Sequence, residues 1–300
     1  MIPSHAGPKL AYFALAWISI VWGSTYLASR IGVEDGLPGL YLSAIRLSSA
    51  GFLMLLFFRL RGHAWPKGRD EWRKVLGPGF LLLLCGNGAM TWAMQYMDSS
   101  LGAIVSALGP LITALLSVWL LGQRLSWQVF AGLGLGGLGI GIIFSDYWAE
   151  LLQSQFRFGL FLAFGSTFAW SLGSILAVKW QHSLHPVHAA GWQMFGSGLA
   201  LLPICWSTGQ YQVLSALSSQ TYWALLYLIV VGSLISYSAF SYAIQQLPPS
   251  LVAVNAYINP IVALILGWLI LSEKLSWKIA LGAAVVLVGI YWVNKAMKKI

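Results

Sequence analysis

Charge is what this chain lacks. Of its 300 residues, 8% are charged and 58% are hydrophobic, whereas an ordinary soluble domain is about a quarter charged. A water-soluble globule is therefore excluded. Acids are scarcest of all. The eight are Glu34, Asp35, Asp70, Glu71, Asp98, Asp146, Glu150 and Glu273, each at or beyond the end of an apolar run. None is placed to be a buried proton carrier, so proton coupling does not follow from the residues, and facilitated diffusion stands level with antiport. The same scatter counts against a membrane-embedded lipid-modifying enzyme, which needs clustered carboxylates, histidines or a nucleophile beside a base. There are two cysteines, Cys85 and Cys205, both within apolar runs, and they read as buried thiols rather than a disulfide. The G-x-x-x-x-G-K-[ST] pattern is absent, so direct ATP drive is not expected. Nor is any cofactor or metal. A non-transporting sensor or assembly subunit is the remaining alternative, but no cytoplasmic output domain is visible.

What is present is a series of apolar runs, each about the twenty residues that cross a bilayer as a helix. Ten are read: residues 9–30, 38–58, 74–95, 99–121, 126–145, 157–179, 186–206, 221–243, 250–271 and 276–294. They are continuously apolar without a period of two, which implies helices rather than a barrel. The first run lacks a cleavage site and reads as a span, not a removable signal.

The net charge of +9 does not point to nucleic acid. With the N-terminus inside, twelve of the seventeen Lys and Arg fall on the inner side, four on the outer side, and Arg46 lies within a span. That bias puts both termini in the cytoplasm, and the short loops suit a bacterial inner membrane, with the lipid bilayer as the surrounding partner.

The sequence LGQRLSW at 121–127 recurs as LSEKLSW at 271–277. Around it, Pro110 matches Pro260, Gly132 matches Gly282 and Gly139 matches Gly289; earlier, Trp22 recurs as Trp170 and Pro38 as Pro186. The chain thus reads as two halves, 1–150 and 151–300, of five helices each. A second copy of an odd number of spans enters the membrane upside down. The expected fold class is an all-α membrane protein: ten transmembrane helices as two inverted five-helix repeats, the architecture of many secondary transporters.

The opening WGSTYLASRIGVE, the Arg in SAIRLSSAGFLML, the run GNGAMTWAMQY, the paired GP and NP helices and the two LSW corners resemble EamA-type members of the drug/metabolite transporter superfamily, among them the YedA-like inner-membrane exporters. The resemblance spans almost the whole chain. It implies a central cavity lined by the first four helices of each repeat, the fifth lying outside, and cargo among small organic metabolites, amino acids or drugs.

Several residues are candidates for that cavity. Pro110 and Pro260 fall mid-span in equivalent helices, where proline removes a hydrogen bond and bends the helix. A break in matching positions of two halves points to gating or binding. Asn255, Tyr257 and Asn259 precede the second break and would offer polar atoms to a ligand. Arg46 lies eight residues past Pro38, about 12 Å down a helix and near the middle of the membrane. It either binds an anionic group or, as an anchor, snorkels to the outer interface or bonds backbone carbonyls. Asn87 and Thr91 share a helix face, with Tyr237 as the repeat partner of Asn87, and Trp22 would supply an aromatic wall. Gln193 replaces Arg46 in the second half.

Two other patterns carry less. The run GLGLGGLGIG has no strand or acidic partner, so Gly132/Gly136 and Gly137/Gly141 read as small faces for helix packing or a homodimer contact. His182, His185 and His188 read as solvated loop histidines rather than a metal site.

Overall fold

A computed structural model describes residues 8–121, 127–180, 182–212, 217–247, 255–273 and 275–297, and every regular element among them is helical. The elements are α1 (Pro8–Glu34), α2 (Gly39–Leu60) and α3 (Gly68–Ala93), then α4 in two pieces (Ser99–Ser106 and Gly109–Leu121) and α5 (Trp127–Phe144). They continue with α6 (Ser154–Lys179), α7 (Pro186–Ser207), α8 (219–246), α9 (Asn255–Leu271) and α10 (Trp277–Met297). Helix is what a continuously apolar run must form in lipid, because each backbone N–H and C=O has to be satisfied within the segment. The ends are marked by residues that leave the helix cheaply. Gly62 (φ +75) and Gly209 (φ +68) close α2 and α7. Beyond them His63 N–H donates to Phe58 O at 3.1 Å and Gln210 N–H to Cys205 O at 2.8 Å, the same wrap-around stop in both helices.

Among the described residues, six helices are long and apolar enough to cross a membrane: α1, α2, α3, α5, α6 and α8. The apolar parts of α4, α9 and α10 are shorter. The 22-residue α7 has the length, but His188, Gln193 and Ser197 dilute it and are buried. Large apolar side chains such as Trp119, Phe161, Trp206 and Trp223 point outward, which only a lipid surround tolerates over so wide a surface.

The packing follows a simple exchange. α1 lies against α8 and α9, while α6 lies against α3 and α4; α2 pairs with α7, and α5 with α10. Glycines set the closest of these contacts. A Cβ on Gly139 would stand 2.6 Å from Gly282 O, and one on Gly289 the same distance from Gly132 O. The partner number falls as the first rises, so α5 and α10 run antiparallel. Likewise a Cβ on Gly51 would fall on the Phe195 backbone, and one on Gly198 on the Ser48 backbone, making α2 and α7 antiparallel as well. Gly132 and Gly139 therefore serve packing within the chain, as small residues do between membrane helices, and Gly136 faces Leu111. Gly134, Gly137 and Gly141 would meet nothing within 4 Å.

Two apolar cores flank the crossing. One joins Met90, Ile104, Val129, Ile143, Leu160, Val286 and Ile290; the other joins Leu47, Met54, Leu82, Met194, Leu201 and Tyr237.

Candidate functional site

The third helix of each set loosens in the same place. α3 carries a π-helical stretch at Phe80–Gly88 and α8 one at Leu228–Ile235. A π turn widens the helix and displaces its carbonyls from regular partners, a feature frequent at functional sites. Side chains from other helices reach those carbonyls. Ser166 Oγ on α6 donates to Gly86 O at 2.7 Å, and Trp22 Nε1 on α1 donates to Gly232 O at 3.3 Å.

Arg46 reaches the same spot from α2. It is 6% exposed. Its Nε donates to Ser233 Oγ at 2.8 Å and its Nη2 to Gly232 O at 3.4 Å. A Cβ at Gly232 would stand 2.9 Å from Thr25 Cγ2 and 3.4 Å from Nη2, so glycine keeps this turn of α8 close to α1. Among the described residues no carboxylate reaches this guanidinium; the ion pairs join Arg30 to Glu34, Arg73 and Lys74 to Asp70, and Lys278 to Asp146. Nearby, Ser24 Oγ and Tyr227 Oη share a 2.5 Å hydrogen bond.

The other candidates fall around this centre at different distances. Ser43, one turn before Arg46, donates to Asn87 Oδ1 at 3.1 Å, which ties Asn87 to the same face of α2. Trp22 stands edge-on to Trp170 at 6.2 Å and against Phe240 at 5.1 Å. Asn259 lies on the α1–α9 seam one turn further along; with its amide nitrogen turned inward it donates to Ser19 O at 2.7 Å and Asn255 O at 3.2 Å. Tyr237 belongs to a parallel arrangement. Its hydroxyl donates to Gln193 Oε1 at 3.1 Å, and Gln193 Nε2 donates to Val75 O at 3.2 Å, so Gln193 on α7 holds α3 as Arg46 on α2 holds α8. Thr91 is 2% exposed and bonds back to Asn87 O at 2.9 Å, apart from the Arg46 group. The backbone of Tyr257 lies in α9, and its side chain lies outside the described residues.

The two prolines differ in setting. α4 is interrupted at Ala107–Leu108 and restarts at Gly109, with Pro110 the second residue of the new piece, where a missing N–H costs nothing. Ser171 Oγ steadies the break by donating to Gly109 O at 3.1 Å. Pro260 lies inside α9, which is described from Asn255 onward; residues 248–254 lie outside the described residues, as do 122–126 of the first polar corner.

Sequence reasoning named Arg46 without its partners. Gly232 and Ser233 sit in the apolar string LIVVGSLIS, where nothing local marks them as acceptors. It also left Glu273 at the membrane edge without a task. Glu273 is 9% exposed. It accepts from Ser99 N at 2.8 Å, Ser99 Oγ at 2.6 Å and Ser100 N at 3.1 Å, capping the first piece of α4, where free N–H groups and the helix dipole favour an anion. Beside it Tyr147 Oη donates to Asp98 Oδ2 at 3.2 Å. Burial, and then Asp98, Glu273 and Glu150, push the Tyr147 hydroxyl well above the ordinary tyrosine range.

Helices that place an arginine, two tryptophans and displaced backbone carbonyls at a shared crossing, with lipid-facing apolar surfaces around them, define a multi-pass membrane protein built around a polar centre. Comparison with known proteins gives that class its family. The chain belongs to the EamA-like transporter family, whose profile matches residues 9–145 and again 157–295. It is 34% identical over 94% of its length to a protein of Escherichia coli K12 described as the uncharacterized inner membrane transporter YedA, 90% of which is covered. It is 29% identical to the protein PecM of Dickeya dadantii, over 96% of this chain and 91% of the relative. A solved crystal structure shares the fold at a TM-score of 0.69 and 15% identity, covering 98% of this chain and 100% of its own.

Proposed function

We propose that this membrane transporter is a secondary transporter that exports small organic metabolites, amino acids or related compounds, or drugs, across a bacterial inner membrane by alternating access. Ten helices in two inverted five-helix repeats, 1–150 and 151–300, would carry it, with both termini in the cytoplasm. The observation that carries the reading is the reciprocal antiparallel crossing of α2 with α7 and of α5 with α10. Exchanging each residue for its repeat partner maps the Gly139–Gly282 contact onto Gly289–Gly132. Two halves related in this way can rock between states open to opposite sides. The name of the E. coli relative supports the location. Trp22, Arg46, Asn87, Thr91, Tyr237, Asn255, Tyr257 and Asn259 are assigned to substrate, and Pro110 and Pro260 to gating. The open face at Gly134, Gly137 and Gly141 would receive a second copy in a homodimer.

The inversion is tested by accessibility. Trp127 and Trp277 are repeat partners, 68% and 72% exposed. In a background with Cys85 and Cys205 replaced, a membrane-impermeant maleimide applied to intact cells labels Trp277→Cys, and labels Trp127→Cys only after permeabilisation. Labelling of both from one side removes the inverted arrangement. Transport itself is read by counterflow in proteoliposomes over a metabolite panel; no saturable flux for any compound defeats the transporter reading.

A further inference from the structure

Among the described residues Arg46 has no counter-ion. Every acid is engaged or placed elsewhere. Glu34 pairs with Arg30, and Asp35 accepts from Ser218 N and Thr221 Oγ1. Asp70 pairs with Arg73 and Lys74, while Glu71 accepts from Lys67 N and Ser183. Asp98 holds Tyr147, Asp146 holds Lys278, and Glu273 caps α4. Glu150 opens the 3₁₀ turn Glu150–Leu152 between α5 and α6. All these positions are at helix ends or in connections. Arg46 stands mid-span with only the neutral acceptors Ser233 Oγ and Gly232 O.

A cation taken from water into such a place costs several kcal/mol unless it is paired. Two neutral acceptors compensate in part and leave the net charge. They engage the Nε and Nη2 groups, and the Nη1 group makes no hydrogen bond to a described residue. A planar guanidinium with part of its fork open fits a carboxylate, which accepts two parallel N–H bonds.

We infer that Arg46 is the receptor for the carboxylate of a small organic monocarboxylate, the inference resting on the transporter reading of the same centre. One charge decides the class. The repeat partner is the neutral Gln193, already engaged by Tyr237 and Val75 O, so the centre supplies a single positive charge. A monoanion neutralises it; a phosphate dianion would leave a net negative charge in the span. The apolar body of the ligand finds aromatic surface beside the charge, since Trp22 donates to the same Gly232 carbonyl as Arg46 and packs on Phe240.

The test uses three acid and amide pairs: acetate and acetamide, hexanoate and hexanamide, 3-phenylpropionate and 3-phenylpropionamide. Binding to purified full-length protein is measured by calorimetry, with thermal midpoints in parallel. At least one acid binds wild type tenfold or more tightly than its amide, and Arg46→Gln abolishes that ratio while leaving the amide unchanged. If Arg46→Gln does not fold, Arg46→Lys decides: the ratio falls at least threefold because the fork is lost while the charge remains. The inference is overturned if no acid binds below 10 mM, if acid and amide bind wild type alike, or if the ratio survives the substitution. Counterflow separates this from the wider reading. Flux of neutral compounds with no preference for acids keeps the transporter and discards the carboxylate receptor, whereas acid binding without flux does the reverse.

Discussion

Alanine at Gly51 or at Gly198 prevents α2 and α7 from reaching their observed separation, and either variant loses about 3 kcal/mol or more of stability. The added methyl at Gly51 lands on the Phe195 main chain and that at Gly198 on the Ser48 main chain. A main chain cannot swing aside as a long side chain can, so the whole seam must open, and with it the contacts of Leu47, Met54, Met194 and Leu201. The measurement is the thermal midpoint of each variant in detergent, with yield from the membrane fraction as a second readout. The double variant loses less than the sum, because one separation relieves both clashes. Gly165→Ala, on α6, is the control. Nothing lies within 4 Å of its added methyl, and alanine is about 1 kcal/mol better than glycine within a helix, so this variant matches or exceeds wild type. Equal losses at positions 51, 198 and 165 would show that glycine acts through the backbone of its own helix and not through the crossing.

The second large effect is at Glu273. Replacing it with alanine removes the acceptor for two backbone N–H groups and a hydroxyl at the start of α4, a loss of about 2 kcal/mol for a charged hydrogen-bonded cap. Glu273→Gln keeps an acceptor without the charge and gives roughly half that loss. A midpoint series of wild type, Gln and Ala in that order supports a charged cap. A Gln midpoint equal to wild type, with Ala alone lowered, would assign the effect to packing against Gly267, which lies against the same carboxyl group.

Much of this architecture could be read directly from the chain. Uninterrupted apolar runs cannot fold any other way in lipid, and the family profile matches the chain twice, over 9–145 and 157–295. The outcome departs from ten equal spans because length and apolarity were unevenly shared. In α7 the polar His188, Gln193 and Ser197 are spent on internal contacts, and α4 is cut in two. The π stretches were invisible: FLLLLCGNG and LIVVGSLI have no composition that sets them apart from α-helix, since the widening comes from how neighbouring helices claim their carbonyls. For the site, an arginine in an apolar run announces itself by its cost. Its partners are small neutral groups almost two hundred residues away, and only packing reveals them. Glu273 was hidden for the opposite reason, because a glutamate at a membrane boundary is unremarkable until the helix end it covers is known.

The α2–α7 crossing also bears on symmetry. In an assembly of two identical five-helix chains, any residue near the axis would occur twice, so an arginine on the second helix would bring two positive charges to the centre, and a glutamine none. A single polypeptide leaves the two sides of the crossing free to differ. Position 46 carries a cation while position 193 carries an amide that braces its own side, a division of labour that no pair of identical subunits can reach.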